Sequence, residues 1–240
     1  MSEGDPSAPY LSLAPAAQRA LDAVCVTRRY ESGQVVMLEG EADAPVFVVR
    51  RGTVRVYRTS LDGREQTLIR LGPGAAFNVP AAFMDPDAGG DRSSPAVAGA
   101  RSGALAPASA AALTPVELAL ISRPDFCQTV IHSPDLALVV LRDLATKVHH
   151  LTDLTHDLGL LTVRARLASF LLSHGQAPEG APPPGAHVRW THHEIAAQIG
   201  TVREVVSRTM RTFVKDGTIK LERHRIVVLD REALQLEAES

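Results

Sequence analysis

Arg203, Glu204, Ser207, Arg208 and Arg211 lie on one side of the segment REVVSRTMRTFVKDG, while Val205, Val206, Met210, Phe213 and Val214 share the other at helical spacing. A guanidinium can donate twice to guanine, a carboxylate can accept from the cytosine amino group, and a hydroxyl can reach a base edge or a phosphate. The bland counterpart of such a face is a solvated helix surface. What separates the two is the setting. Upstream, Thr191-His192-His193-Glu194 has the Thr-x-x-Glu spacing of a capping box, which opens a helix over EIAAQIG. Gly200 suits the left-handed residue that ends it, Thr201-Val202 make a short turn, and a second helix over 203–215 follows. Helix, short turn and helix form a helix-turn-helix, whose second helix fits a major groove. TIKLERHRIVVLD then reads as two short strands around Glu222-Arg223-His224, a wing. Thr191, Arg211 and Lys215 join the candidate DNA contacts, with Arg225 as a phosphate contact.

The elements that position these residues leave their own traces. Residues 1–14 carry no apolar period and read as a mobile arm, and LAPAAQRALDAV (13–24) as a short amphipathic helix. From Val26 to Phe83, the runs QVVMLE, PVFVVR, TVRVYRTS and QTLIRL are cut by Gly33, Gly40, Gly52, Asp62-Gly63 and Gly72-Pro73-Gly74, the pattern of antiparallel strands with tight corners. Residues 85–112, rich in Ala, Gly, Ser and Pro, read as a long loop or insertion, and TPVELALISRPDF supplies one more strand. After Ser133-Pro134 a long helix begins. Its Leu141, Leu144, Val148, Leu151, Thr155 and Leu158 alternate spacings of three and four, and polar Arg142, Asp143, Lys147, His149, Asp153 and Asp157 flank them. One apolar stripe on a polar helix predicts a partner helix, most simply a second copy of the chain. Gly159 is expected to interrupt this helix, Thr162 to cap the next over VRARLASFLLSHG, and QAPEGAPPPGAH to form a linker.

Bulk properties narrow the class. With 240 residues, 45% of them apolar, and a formal charge of −2, the chain can build real cores. The near-neutral total hides a dipole: residues 163–225 hold ten basic and five acidic side chains, net +5, which leaves −7 elsewhere. No run approaches the roughly 18 apolar residues of a membrane helix. The polar, acidic start MSEGDPSAPY is unlike a secretory signal, so a cytoplasmic protein is expected. Cys25 and Cys127 lack Cys-x-x-Cys spacing and read as small packed residues. His149 and His156, interleaved with Asp153 and Asp157, read as flanks of the helix stripe; no metal site is expected. An enzyme is not expected either: residues 1–131 contain no histidine for a metal-dependent roll, and there is no Gly-x-Ser-x-Gly elbow, phosphate loop or dinucleotide fingerprint. With 4% aromatic residues, stacking on single strands has no platform, which leaves duplex DNA as the partner.

THHEIAAQIGTVREVVSRTMRTFVKDGTIKLERHRIVVLDREAL resembles the C-terminal domain of CRP/FNR family bacterial transcription regulators, whose pattern runs T-x-x-E-(I/L)-A-x-x-(I/L)-G-x-x-R-E-x-V-S-R. YESGQVVMLEGEADAPVFVVRRGTVRVY resembles the family's cyclic-nucleotide-binding-type β-roll, and 134–161 its dimerisation helix. The resemblance implies an α+β chain: the arm, an antiparallel double-stranded β-helix or jelly-roll type domain over 15–133 with its insertion at 85–112, the dimer helix at 134–161, and a winged helix-turn-helix over 162–240. It also implies a homodimer on a palindromic operator that contacts RNA polymerase as activator or repressor, with Arg203, Glu204 and Arg208 favouring a GTG-containing half-site. For the effector, the family's Phe-Gly-Glu segment matches Phe77-Asn78-Val79. The Arg-Ser phosphate pair falls on Arg92-Ser93 or on Ala106-Pro107 according to the direction of counting. A Thr-Ser pair of the long helix matches Leu151-Thr152. These departures predict a degenerate pocket that takes no cyclic AMP, or another effector. A cyclic-AMP responder with an unusual phosphate cassette, and a redox or haem sensor using Cys or His, stay open as alternatives.

Overall fold

A computed structural model of the chain describes residues 9–11, 13–84, 105–175, 190–222 and 225–239. Arg92, Ser93, most of the 85–112 segment, the 176–187 linker and the tip of the wing lie outside them. Two compact units divide the chain. The first is Met1–Arg58 with Leu68–His150, and the second Thr59–Thr67 with Leu151–Ser240.

In the first unit α1 (Pro15–Val24) leads into β1 (Cys25–Tyr30), and β2 (Val35–Met37), β3 (Val46–Arg51), β4 (Val54–Thr59), β5 (Glu65–Leu71) and β6 (Ala76–Phe77) follow. After the short α2 (Pro80–Phe83) come β7 (Ser109–Ala112) and β8 (Val116–Ile121). Two antiparallel sheets result, ordered β1-β8-β3-β6 and β2-β7-β4-β5. The period of two in β3 decides how they pack. Phe47 and Val49 point into a core shared with Val54, Leu71, Phe77 and Leu118, and Val46 and Val48 point outward under helices. Both faces of β3 are therefore covered, which is why it reads as a continuous apolar run. Between β3 and β4, Gly52 adopts φ +80°, and a Cβ there would stand 2.3 Å from the Pro115 carbonyl oxygen. Only glycine fits that corner.

Several expectations change in this unit. The stretch read as an insertion to residue 112 ends earlier: Ser109–Ala112 form β7, paired with β2 and β4, and every one of its residues is buried. Four small side chains inside a roll give no alternation, and alanine has little strand preference. The arm to residue 14 is also not wholly free. Pro9–Leu11 form a 3-10 turn whose Tyr10 is buried, with its N–H on the Gly74 carbonyl at 2.9 Å.

α3 (Arg123–Ile131) follows β8, capped by the Ser122 hydroxyl, which accepts from the Asp125 N–H. The motif TPVELALISRPDF, expected as one strand, therefore splits: its strand ends at Ile121 and its last residues open α3. α4 (Pro134–Leu160) spans 27 residues and continues through Gly159, so the expected interruption lies instead at Leu161–Thr162. Leu136 and Val140 bury the near face of α4. Asp143, expected among solvated flanks, is buried; it pairs with Lys147 and lies 3.5 Å from the Tyr10 hydroxyl. Burial holds the Lys147 ammonium below its usual range, and burial with the Asp143 charge pushes the Tyr10 phenol up.

In the second unit α5 (Val163–His174) is capped by Thr162, whose hydroxyl accepts from the Ala165 N–H at 3.1 Å. α6 (His192–Ile199), α7 (Arg203–Lys215), the antiparallel pair β9 (Ile219–Glu222) and β10 (Arg225–Val228), and α8 (Arg231–Ala238) complete it. Leu167 and Leu171 of α5, Ile195 and Ile199 of α6, Val206, Met210 and Phe213 of α7, and Leu234 of α8 make one core. α8 has no counterpart in the sequence reading.

Candidate nucleic-acid interface

The local sequence builds the helix-turn-helix. The Thr191 hydroxyl accepts from the Glu194 N–H at 3.1 Å, and the Glu194 carboxylate accepts from the Thr191 N–H at 2.7 Å, so the capping box closes in both directions. At the other end of α6, Gly200 takes φ 68°, ψ 48°, and the Gly200 and Thr201 N–H groups both turn back to the Ala196 carbonyl. α7 then starts at Arg203 with its packing side on Val206, Met210 and Phe213. Val214, expected to face inward, is 41% exposed because it lies beside that stripe rather than on it.

The opposite side of α7 carries the predicted set. Arg203, Glu204, Arg208, Arg211 and Lys215 are exposed, and Ser207 is half-buried between them. Arg211 bends back along the helix, its Nε on the Ser207 carbonyl and its Nη2 on the Ser207 Oγ, both at 3.2 Å. Ser207 and Arg211 thus form one hydrogen-bonded pair, which predisposes the serine hydroxyl to donate outward. Four cations and one carboxylate on a single exposed face offer both phosphate contacts and base-edge donors and acceptors. Thr191 is exposed at the start of α6, its hydroxyl engaged in the cap.

On α4, Leu141, Val148, Leu151 and Leu158 of the predicted stripe are 64%, 63%, 43% and 37% exposed, and Thr155 is exposed with them. Leu138, missed in the sequence, extends the stripe toward the helix start. Leu144 does not belong to it: it packs against the core of the first unit. Leu151 and Thr152, assigned to an effector pocket, are both on the exposed surface of α4.

Phe77 and Val79, the other described pocket candidates, are buried core residues. The Phe77 ring stacks on Phe47 with centroids 4.6 Å apart, and Val79 joins the helix-side core. Asn78 between them sits at φ 60°, where its side-chain amide donates to the Ala44 and Pro45 carbonyls at 2.9 Å. Asparagine there supplies the left-handed turn that a glycine would. Ahead of β7, buried Ala106 exchanges backbone hydrogen bonds with Glu41 and Gly40. Counting back from β8 places the family's phosphate pair here, at a residue with neither guanidinium nor hydroxyl; the other placement, Arg92-Ser93, lies outside the described residues.

The cysteines differ from each other. Burial pushes the Cys127 thiol up, and its Sγ lies 2.7 Å from the Ala82 carbonyl oxygen. Cys25 has a cationic neighbour invisible in the sequence: Arg50 Nη2 reaches its Sγ at 3.4 Å and Asp22 at 2.5 Å. Among the described residues, no three His, Cys, Asp or Glu side chains gather as a metal site.

Residues 165–237 match the family description "Crp-like helix-turn-helix domain", and residues 27–132 match "Cyclic nucleotide-binding domain". The chain is 32% identical to the Cyclic AMP receptor protein of Thermus thermophilus over 88% of its own length and 86% of the relative's. The chain belongs to the CRP/FNR family. A CRP-like cAMP-activated global transcriptional regulator of Mycobacterium tuberculosis is 28% identical over 85% of this chain and 84% of that one. Among solved structures, a crp/fnr family transcriptional regulator from Eubacterium rectale gives a TM-score of 0.70 at 23% identity, covering 96% of this chain and 97% of that one. The c-di-GMP responsive global regulator of Xanthomonas campestris gives 0.73 at 21%, covering 90% and 99%. These two structures show the shared α+β fold. As a CRP/FNR family member the chain is a transcription regulator with a cyclic nucleotide-binding-type domain and a helix-turn-helix DNA-binding domain. None of its described helices is long and apolar enough to cross a membrane.

Proposed function

We propose that this regulator works as a homodimer that reads a palindromic operator with α7. The observation that carries the reading is the exposed set Arg203, Glu204, Arg208 and Arg211 on a helix whose other side is locked into the core by Val206, Met210 and Phe213. Arg203 and Arg208 are the guanine readers, Glu204 the cytosine reader, Ser207 a base-edge or phosphate contact, and Lys215 a phosphate contact. A GTG-containing half-site suits this set. The exposed stripe of α4 supports pairing through Leu141, Val148, Leu151, Thr155 and Leu158. Two-fold pairing would set two recognition helices about 34 Å apart, one turn of duplex. RNA polymerase is the expected protein partner.

On this reading the roll takes no cyclic AMP, and the regulator either answers another effector or works without one. Support comes from Ala106 at one of the two placements of the phosphate-binding pair, from Val79 in the core, and from Leu151, which carries no hydroxyl where the family's Thr-Ser pair has one. The names of the Thermus and Mycobacterium relatives favour the opposite reading, a cyclic-AMP-activated regulator. Selection of bound duplexes from a random pool, repeated with cyclic AMP, tests both. Enrichment of an inverted repeat without nucleotide supports the proposal, and a pool without enrichment overturns the operator reading. Enrichment that requires cyclic AMP, with micromolar binding by calorimetry, overturns the effector reading alone.

A further inference from the structure

α8 plays no part in the DNA reading above, yet it grips one side chain that reaches the recognition helix. Arg164, the second residue of α5, donates through Nε to Glu237 Oε2 at 2.5 Å and through Nη2 to Glu237 Oε1 at 2.8 Å. This parallel fork fixes the guanidinium in orientation as well as position. The same Nη2 lies 3.5 Å from Oδ2 of Asp216, the residue that ends α7. The guanidinium carbon stands 4.8 Å from the centre of the Phe213 ring, which is fully buried. One side chain therefore touches the last turn of α7 twice and α8 by a two-point grip.

α8 is itself anchored. Asp230 caps it by accepting from the Ala233 N–H at 2.9 Å, and Leu234 is fully buried in the core of the unit. The grip of Arg164 holds the Glu237 carboxyl below its usual range. Without the guanidinium, the Asp216 and Glu237 carboxylates would lose the cation they share.

We propose that Arg164, clamped by Glu237, is a positioning residue for sequence reading: it fixes the C-terminal end of α7 and hence the angle at which Arg203, Glu204, Ser207 and Arg208 are presented. A helix as long as α7 spans about 20 Å, so a tilt of about 3° at one end moves the other by about 1 Å. That exceeds the width of the hydrogen-bond distance range, so base contacts suffer. A flexible lysine on a phosphate tolerates it. The inference rests on α7 being the reading helix.

The test compares wild type, Arg164→Gln, Glu237→Gln and Arg208→Ala as full-length proteins on two probes, the duplex enriched by selection and a random-sequence duplex of the same length. For both Gln variants, the ratio of specific to random affinity should fall about tenfold, or about 1.4 kcal/mol, with affinity for the random duplex unchanged. A merely structural defect lowers the competent fraction and with it both affinities, leaving the ratio intact. If Arg164→Gln does not fold, Glu237→Gln decides alone. An unchanged ratio in Glu237→Gln, while Arg208→Ala loses its preference, overturns the positioning role and leaves the reading helix standing. A wild type without any preference overturns both.

Discussion

Arg208 and Lys215 stand on the same exposed face of α7, yet truncating them should have different consequences. Arg208→Ala is expected to cost about 1–3 kcal/mol on the selected operator and to relax discrimination at one base pair. Lys215→Ala should weaken selected and random duplexes alike and lower the salt slope by about one. Fluorescence anisotropy titrations on both duplexes at several salt concentrations check the pair; equal behaviour of the two variants would remove the distinction between reading and phosphate contacts. A second residue prediction concerns acid. The Glu237 carboxyl is depressed by Arg164, so its contribution is present above the unfolded glutamate value of about 4.3 and is lost as pH falls through the lower folded value. Between about pH 5 and about pH 3, Glu237→Gln should therefore lose less thermal stability than wild type. At this scale the exposed polar face of α7 and the capping box were legible because every partner lies within one or two helical turns. Arg164 and Glu237 are 73 positions apart, and Arg50 meets Cys25 across the fold; no local period marks such pairs.

Element boundaries followed the punctuation of the chain wherever a cap or a glycine stood at them. Thr162, Thr191 and Gly200 do what their types predicted. Gly200→Ala is expected to destabilise the second unit by about 1–2 kcal/mol, the cost of a side chain in left-handed backbone, measured by thermal unfolding; an unchanged melting temperature would contradict the assigned turn. Gly159 was misleading for the opposite reason. It keeps helical backbone inside α4, and a glycine weakens a helix without having to end it. β7 escaped because all four of its residues are small and buried, and α3 because Ser122-Arg123-Pro124 continues a strand motif directly into a capped helix. The stripe on α4 was legible through its heptad spacing, while the burial of Leu144 and Asp143 depends on Tyr10 and the roll core, which lie far away in sequence. Leu141→Glu with Val148→Glu places charge on the exposed stripe and leaves Leu136 and Val140 in their core. Sedimentation should report a folded monomer. A dimer that survives both substitutions would assign pairing to another surface.

At the scale of the whole chain, the formal charge of −2 is the sum of a basic DNA-binding segment and an acidic remainder, a division already visible in the sequence. On the proposed reading, the basic segment would supply the sequence-independent attraction to duplex DNA and α7 the preference among sequences. What the sequence did not convey was the burial of Phe77 and Val79, which become core only once β6 pairs with β3 and Phe77 stacks on Phe47. Dimeric reading of a palindrome is tested by titrating the full-length protein against its selected inverted repeat, against the same duplex with one half-site scrambled, and against random duplex at one fixed salt concentration. Two chains should bind each inverted repeat, with a preference of about 10³-fold or more over random duplex, and most of that preference should be lost when one half-site is scrambled. Equal affinity for all three duplexes would contradict dimeric reading.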